Sequence, residues 1–144
     1  MKSLLLCLAC AVFTVNAGDY TTQFFAASYH PTTEKDLNKN HYLLGVEYIE
    51  DNIGYSLSIY KNSFYRTTVM YTQSLYIEND SNNYKFFLSV GAATGYQDTG
   101  ADCLFELGNI CSVLATGVIF TTYDIRPRIT VLAQALVFSL EYKW

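Results

Sequence analysis

The chain has 144 residues, of which 51% are hydrophobic and 16% aromatic, a length that suits one domain and leaves little room for a second. Its 13 Asp and Glu outnumber 9 Lys and Arg, for a formal net charge of -4 at pH 7. Because neither the overall balance nor any local cluster is basic, the sequence argues against nucleic-acid binding.

The N-terminus has the pattern of a secretory signal peptide. A positive charge precedes an apolar run over residues 4–12, and Ala17 is the small residue before a predicted cleavage at Gly18. A lipoprotein signal with Cys10 as the modified residue is the alternative, but the residues before it match poorly. We predict a signal peptide over 1–17 and one exported domain over 18–144.

The sequence of the exported domain predicts β-strands. It contains no apolar run near the roughly 18 residues that a membrane-spanning helix needs. Segment after segment instead alternates with period two, which is typical of β-strands. The predicted strands lie near 20–30, 41–50, 54–61, 65–77 and 84–95, with three more between 111 and 144.

Two of these strands separate large apolar side chains from small or polar ones. One face carries Tyr42, Leu44, Val46 and Tyr48 in the second strand and Phe86, Leu88, Val90 and Ala92 in the fifth. The other carries His41, Leu43, Gly45 and Glu47, and Lys85, Phe87, Ser89, Gly91, Ala93 and Gly95. A bulky outer face against lipid and a narrow inner face are typical of transmembrane barrels.

The connections alternate in length. Residues 51–53 and 79–83 are short turns, whereas 31–40 and 96–110 are long and polar. Membrane barrels keep short turns on the periplasmic side and long loops on the cell surface. With a periplasmic N-terminus, the long loops and the segment KNSF at 61–64 are predicted to lie on the outer side.

The last long loop holds the two cysteines of the exported domain, Cys103 and Cys111. In an exported protein, an even pair at this spacing most simply forms a disulfide across a loop. A metal site would need further His or Cys ligands nearby, and the sequence offers none. We therefore predict a disulfide, with no metal and no cofactor.

The final strand gives the clearest pattern. Large apolar residues occupy one face, namely Leu136, Phe138, Leu140, Tyr142 and Trp144, and the other face carries Ala135, Val137, Ser139, Glu141 and Lys143. A terminal strand ending in an aromatic residue resembles those recognised by the outer-membrane assembly machinery. The fold class predicted is all-β: an antiparallel up-and-down transmembrane β-barrel of about eight strands, monomeric, in a Gram-negative outer membrane. A soluble lipocalin-like carrier is disfavoured, because its outer face would be polar.

His30 and Ser63 are candidates for chemistry, because both lie where an outward-running strand ends. Brought together, an imidazole and a hydroxyl can act as base and activated hydroxyl in acyl transfer. The plainer reading makes His30 a rim residue before Pro31 and Ser63 a turn residue after Asn62. Strand parity also points Ser63 away from the interior unless the turn has begun by Asn62.

These segments carry a family resemblance. SYH at 28–30, YKNSF at 60–64, FFLSVGAATGY at 86–96 and, more loosely, VFSLEYKW at 137–144 resemble the lipid A palmitoyltransferase (PagP) family. The resemblance implies an eight-stranded outer-membrane enzyme that moves an acyl chain, usually palmitate, from a glycerophospholipid donor to lipid A or another outer-leaflet lipid.

The resemblance implies that His30 and Ser63 occupy the catalytic positions of the family. Asn62 stands where the family has aspartate, and it is expected to support the pair by hydrogen bonding. An amide cannot stabilise an imidazolium by charge, and the equivalent change in a serine-protease triad costs about 10⁴ in rate. Another carboxylate, such as Glu34 or Asp36, would then have to assist.

The small inner residues suggest a place for the acyl chain. A lumen lined by Gly45, Gly91, Ala93 and Gly95 would admit a straight hydrocarbon. Each buried methylene contributes about 0.8 kcal/mol, so the depth of the lumen would select chain length.

A second class of function stays open. A non-catalytic barrel would act through its surface loops in a structural, adhesive or receptor-masking role. The predicted disulfide would then stiffen one loop, and Asn62 in place of aspartate favours this alternative.

Overall fold

The computed structural model describes residues 18–31, 36–79, 83–99, 101 and 103–144. The predicted signal peptide and Glu34 lie outside these residues. No helix in the described ranges has the length and apolarity needed to cross a membrane.

The described residues form nine β-strands. They are β1 (Asp19–Tyr29), β2 (Leu44–Glu50), β3 (Ile53–Lys61), β4 (Thr67–Glu78), β5 (Tyr84–Thr94), β6 (Glu106–Leu107), β7 (Ile110–Phe120), β8 (Ile125–Leu132) and β9 (Ala135–Lys143). The three strands predicted between 111 and 144 are confirmed as β7, β8 and β9. The two-residue β6 was not predicted.

Eight of the strands close into a barrel. Neighbouring strands pair antiparallel in the order β1-β2-β3-β4-β5-β7-β8-β9, and β9 pairs with β1 along Thr21↔Lys143 to Tyr29↔Leu136. The short β6 lies beside the outer end of β7. The predicted antiparallel, up-and-down barrel of about eight strands is therefore confirmed.

The direction of side chains follows the predicted alternation. In β9, Leu136, Phe138 and Tyr142 are exposed, while Ser139 and Glu141 are buried. The same alternation holds in β2 and β5, whose large apolar residues face outward with the exception of Phe87 in β5. An apolar outer face around a polar interior is the arrangement that a transmembrane barrel presents to lipid.

A β-bulge in β1 shifts by one residue which side chains of the strand face the interior. The pairing register with β9 shifts between Phe24 and Ala26, and Phe25 has a φ of 54° with its side chain outside. Gln23 and Ala26 are consequently both buried although they are three residues apart. The bulge thereby directs Ser28 into the barrel, at the level where the functional residues meet.

A charged cluster closes the inner half of the barrel. The Arg128 guanidinium lies 3.4 Å from carboxylate oxygens of both Glu47 and Glu141, and 4.0 Å above the ring of Phe87. The hydroxyl of Tyr76 donates to the Glu47 carboxylate over 2.6 Å. Because these groups are buried and bind each other, the lumen is plugged at this level.

The turn between β2 and β3 lies at the same end as this cluster. Asp51 and Asn52 both have positive φ, 49° and 66°, as in the type I′ turns that suit two-residue hairpins. By strand direction, the described residues of the connecting segments share the opposite end of the barrel, namely 30–31, 36–43, 62–66, 95–99, 101, 103–109 and 133–134.

Removing the buried cation should destabilise the barrel strongly. Arg128→Met leaves two carboxylates buried without their partner, and we expect a loss of about 3–5 kcal/mol in the free energy of unfolding. The measurement is urea unfolding in lipid vesicles, followed by the fluorescence of Trp144, the single tryptophan of the chain.

The matched control removes the charges as well. The triple variant Glu47→Gln, Arg128→Met, Glu141→Gln should recover most of the lost stability, because no unpaired charge remains. An Arg128→Met protein as stable as the parent would show that the cluster does not hold the barrel together.

Candidate functional site

Asn62 builds the turn that follows β3. Its side-chain oxygen accepts hydrogen bonds from the backbone N–H groups of Phe64 (2.9 Å) and Arg66 (3.0 Å), and its amide donates to the carbonyl of Gly95 (2.9 Å). The turn has therefore begun at Asn62, and Ser63 is released from strand parity. This local geometry resolves the ambiguity that the sequence left.

The structure brings the two predicted catalytic side chains together. The Oγ of Ser63 lies 3.0 Å from Nε2 of His30, although the residues are 33 positions apart. The same nitrogen lies 3.0 Å from Oγ of Ser28. Both His30 and Ser63 are half-buried, so the pair sits at the rim, in reach of a ligand. Its catalytic role remains a prediction.

His41 completes the cluster, and the sequence analysis gave it no role. Its Nε2 lies 2.7 Å from Oγ of Ser28, and its Nδ1 lies 2.6 Å from the carbonyl oxygen of Lys61. The alternation in the second strand did place His41 on the inner face. His30 and His41 are the two histidines of the chain.

Burial keeps both imidazoles neutral. It lowers the pKa of His30 from its ordinary value. It also lowers the pKa of His41, where the hydrogen bond to the Lys61 backbone opposes the effect and the nearby His30 adds to it. At neutral pH each ring therefore carries one N–H and one unprotonated nitrogen.

The predicted supporting groups are placed differently. Asn62 uses both polar atoms of its side chain in the turn described above, so it supports Ser63 through the backbone rather than by contact with His30. Asp36 is exposed, and the hydrogen bonds of the His30 ring among the described residues run to Ser28 and Ser63. Neither residue replaces the family's aspartate at the imidazole.

A cavity of about 110 Å³ lies inside the outer half of the barrel, below this cluster. Ser28, His41 and Ser63 line its top, and Phe87 and Arg128 line its floor. Its walls come from β1, β3, β4, β5, β7, β8 and β9. Apolar atoms make up most of the wall surface, through residues such as Ala26, Ala115, Leu132, Ala135 and Val137, and polar side chains such as Gln23, Ser56, Thr72 and Ser89 also line it.

The four residues predicted to line an acyl-chain lumen are absent from the described lining of this cavity. They are Gly45, Gly91, Ala93 and Gly95. A Cβ at Gly45 would lie 2.8 Å from Cβ of Ser58, and one at Gly91 would collide with the backbone of Tyr71. These glycines allow neighbouring strands to approach closely. That the four residues line an acyl-chain lumen stays a prediction.

A larger cleft of about 690 Å³ opens through the barrel wall. The pairing of β7 with β8 begins at Ala115↔Leu132, so β7 extends past the end of β8. The cleft is lined by His30 and Ser63, by inward residues of β7 and β8, and by the outward residues Leu114, Thr116 and Val131. It therefore connects the rim with the lipid-facing surface.

Tyr60 and Tyr96 stand between the cavity and the cleft. Their hydroxyl oxygens are 3.1 Å apart, and both residues line both spaces. Ser63 also belongs to both linings. The imidazole–hydroxyl pair thus lies where an apolar interior, an open rim and a lateral opening meet.

The outer loop next to the cleft contains the predicted disulfide. Cys103 and Cys111 are bonded, which confirms the prediction. The residues between them include Leu104, Phe105 and Leu107, which are 67%, 81% and 80% exposed. No group of three or more His, Cys, Asp or Glu suited to a metal ion occurs among the described residues.

These features define the class of protein as a closed eight-stranded antiparallel β-barrel with an apolar outer surface. The chain matches no family model and no curated protein. Among solved structures it is similar to the outer membrane protein Ail of Yersinia pestis, determined in a phospholipid bilayer nanodisc. The TM-score is 0.50 at 12% sequence identity, over 90% of this chain and 100% of that chain. This likeness supports the barrel fold and does not single out the palmitoyltransferase family.

Asn62→Asp should destabilise the outer rim rather than restore a family site. The substitution replaces an amide donor with a carboxylate oxygen against the carbonyl of Gly95, and we expect a loss of about 1–3 kcal/mol in the free energy of unfolding. Urea unfolding in lipid vesicles measures it.

Asn109→Asp is the matched control, because Asn109 accepts from the N–H of the same glycine over 2.9 Å. A carboxylate keeps that acceptor, so the change should stay within about 0.5 kcal/mol. Equal effects of the two substitutions would contradict the assigned role of Asn62.

Proposed function

We propose that the protein is an outer-membrane acyltransferase that moves an acyl chain from a glycerophospholipid to lipid A or to another lipid of the outer leaflet. The observation that carries this proposal is the contact of 3.0 Å between Nε2 of His30 and Oγ of Ser63. Ser63 of this pair lines the cavity, and both residues line the cleft that reaches the lipid-facing surface.

Several observations support an outer-membrane location. The outward faces of the strands are apolar, and a solved structure of similar fold is an outer membrane protein. The predicted signal peptide would deliver the chain to the envelope. Membrane lipids are then the nearest ligands to the cleft.

The cleft suits a lipid substrate. An acyl chain that enters between β7 and β8 would stay in apolar surroundings, because Leu114 and Val131 flank the opening on the outside and Leu132 and Val113 flank it on the inside. Its ester group would arrive at the level of the rim, where the imidazole and the hydroxyl lie. A route through the wall avoids transferring the chain through water, which would cost about 0.8 kcal/mol per methylene.

The proposed reaction is balanced without a cofactor. The ester bond of the donor phospholipid breaks, and a new ester bond forms with a hydroxyl of the acceptor lipid. The proton of that hydroxyl passes to the oxygen released from the donor, which leaves as a lysophospholipid. His30 and Ser63 supply hydrogen-bond donors that stabilise the charge developing at the carbonyl.

A second candidate function rests on a different observation. The loop between Cys103 and Cys111 is tied by a disulfide and exposes Leu104, Phe105 and Leu107 at the outer end of the barrel. A stiffened apolar loop suits binding of another molecule at the surface. In that case the protein would be a non-catalytic barrel that acts through its loops, and Asn62 and Ser63 would be turn residues.

Lipid mass spectrometry separates the two candidates. Outer-membrane lipids of Gram-negative cells expressing the protein should contain lipid A or phospholipid with one additional acyl chain. His30→Ala and Ser63→Ala should each lower the amount by about 10²-fold or more, in line with the loss of a donor that stabilises charge at the carbonyl.

Ser58→Ala serves as the control, because Ser58 is a buried serine that lies outside both cavity linings. Heat-modifiable migration in gels would confirm that each variant forms a barrel. An unchanged lipid profile from a folded wild-type protein would reject acyl transfer and favour the loop-based function.

A further inference from the structure

Ser28 connects the two histidines of the chain. Its Oγ lies 2.7 Å from Nε2 of His41 and 3.0 Å from Nε2 of His30. Ser28 is buried, and it reaches this position because of the β-bulge at Phe25. One hydroxyl group, which carries a single hydrogen, therefore bridges two ring nitrogens.

The direction of these hydrogen bonds follows from the contact between His41 and the backbone carbonyl of Lys61. A carbonyl oxygen can only accept, so Nδ1 of His41 must donate its hydrogen to Lys61 over 2.6 Å. In a neutral ring the other nitrogen is then unprotonated. Nε2 of His41 therefore accepts the hydroxyl hydrogen of Ser28.

The next contact is determined in the same way. Since Ser28 has given its only hydrogen to His41, its oxygen can only accept from His30. Nε2 of His30 must therefore carry a hydrogen, and the same N–H also points at Oγ of Ser63, 3.0 Å away. Such shared, three-centre hydrogen bonds are common in proteins.

We propose that Ser28 and His41 are positioning residues that hold His30 in the Nε2–H tautomer, so that His30 donates to Ser63 instead of accepting from it. This inference rests on the proposed function for its catalytic meaning. Ser63 then keeps its own hydrogen free for a ligand in the cleft. The two side chains form a donor relay directed at the carbonyl oxygen of an ester, where negative charge develops during acyl transfer.

The opposite arrangement requires either a contact between two acceptors or a charged ring. If Nε2 of His30 accepted from Ser63 alone, its lone pair would face the Ser28 oxygen at 3.0 Å with no hydrogen between them. If it accepted from Ser28, that hydroxyl would have to turn toward it, and His41 would need a second hydrogen to fill its own contact with Ser28. His41 would then be a buried imidazolium beside another histidine. Both its burial and its neighbour lower its pKa and oppose that state.

The test is nitrogen NMR of the full chain with labelled histidine in lipid nanodiscs near pH 7.5. The two rings can be assigned with His30→Ala and His41→Ala proteins. We expect opposite tautomers: His41 protonated at Nδ1 and His30 protonated at Nε2. His30 with an unprotonated Nε2 in the wild-type protein would overturn the proposal.

Ser28→Ala tests the link between the rings. Without the hydroxyl, His30 should become a mixture of tautomers, while His41 keeps Nδ1–H because its bond to Lys61 remains. Ser28→Thr should restore the wild-type spectrum, since Ser28 borders the cavity and the added methyl group has space there. Ser58→Ala should leave both rings unchanged. An unaltered His30 signal in Ser28→Ala would refute the positioning role.

The NMR result and the lipid assay fail independently. Opposite tautomers in a protein without acyl transfer would reject the proposed function and leave the hydrogen-bond assignment standing. Acyl transfer by a protein whose His30 has an unprotonated Nε2 would support the proposed function and reject the hydrogen-bond assignment. If both hold, Ser28→Ala should lower the transfer rate about tenfold, and Ser28→Thr should restore it.

Discussion

The pairing of β1 with β9 closes the sheet, and the remaining structure depends on this closure. A closed antiparallel barrel satisfies every strand edge internally, which is the condition for a β-sheet in lipid. Closure also divides the side chains into two sets. The outward side chains contact apolar surroundings, and the inward side chains contact one another. Polar groups inside must therefore bind each other, as Arg128 does with Glu47 and Glu141.

The candidate site lies where this closure is incomplete. β7 extends past the end of β8, and β1 extends past its continuous pairing with β2, which stops at Phe24↔Leu44 apart from an isolated bridge at Ala27↔Asn40. At this end the strands no longer cover one another, so the wall opens between β7 and β8. The inner end has short turns and a plugged lumen. Because the inner end is closed and the outer end is open, ligands can reach the polar side chains of the interior only at the outer rim.

The sequence predicted the parts that repeat and missed the parts that depend on a single residue. Alternation gave the faces of β2, β5 and β9, because lipid requires every second residue to be apolar. The bulge at Phe25 was missed, because no glycine marks it and the adjacent Phe24 and Phe25, where the alternation shifts, are a weak signal by themselves. The contact of His30 with Ser63 was expected from a family pattern, whereas the link through Ser28 to His41 depends on pairing between distant segments. The lumen assigned to the small inner residues stays a prediction, because small residues can draw strands together as readily as they leave a void.

The amide at position 62 explains why orientation of His30 would pass to Ser28 and His41. A carboxylate there would face the carbonyl of Gly95, which Asn62 binds as a donor, so the turn that presents Ser63 requires the amide. A buried carboxylate beside an imidazole also carries a desolvation cost that a neutral hydroxyl avoids. Ser28 and His41 orient the ring with neutral hydrogen bonds that end on the Lys61 carbonyl. Under the proposed function, this chain would thus replace charge stabilisation of the imidazole by fixing its tautomer, which suits a histidine that acts as a donor.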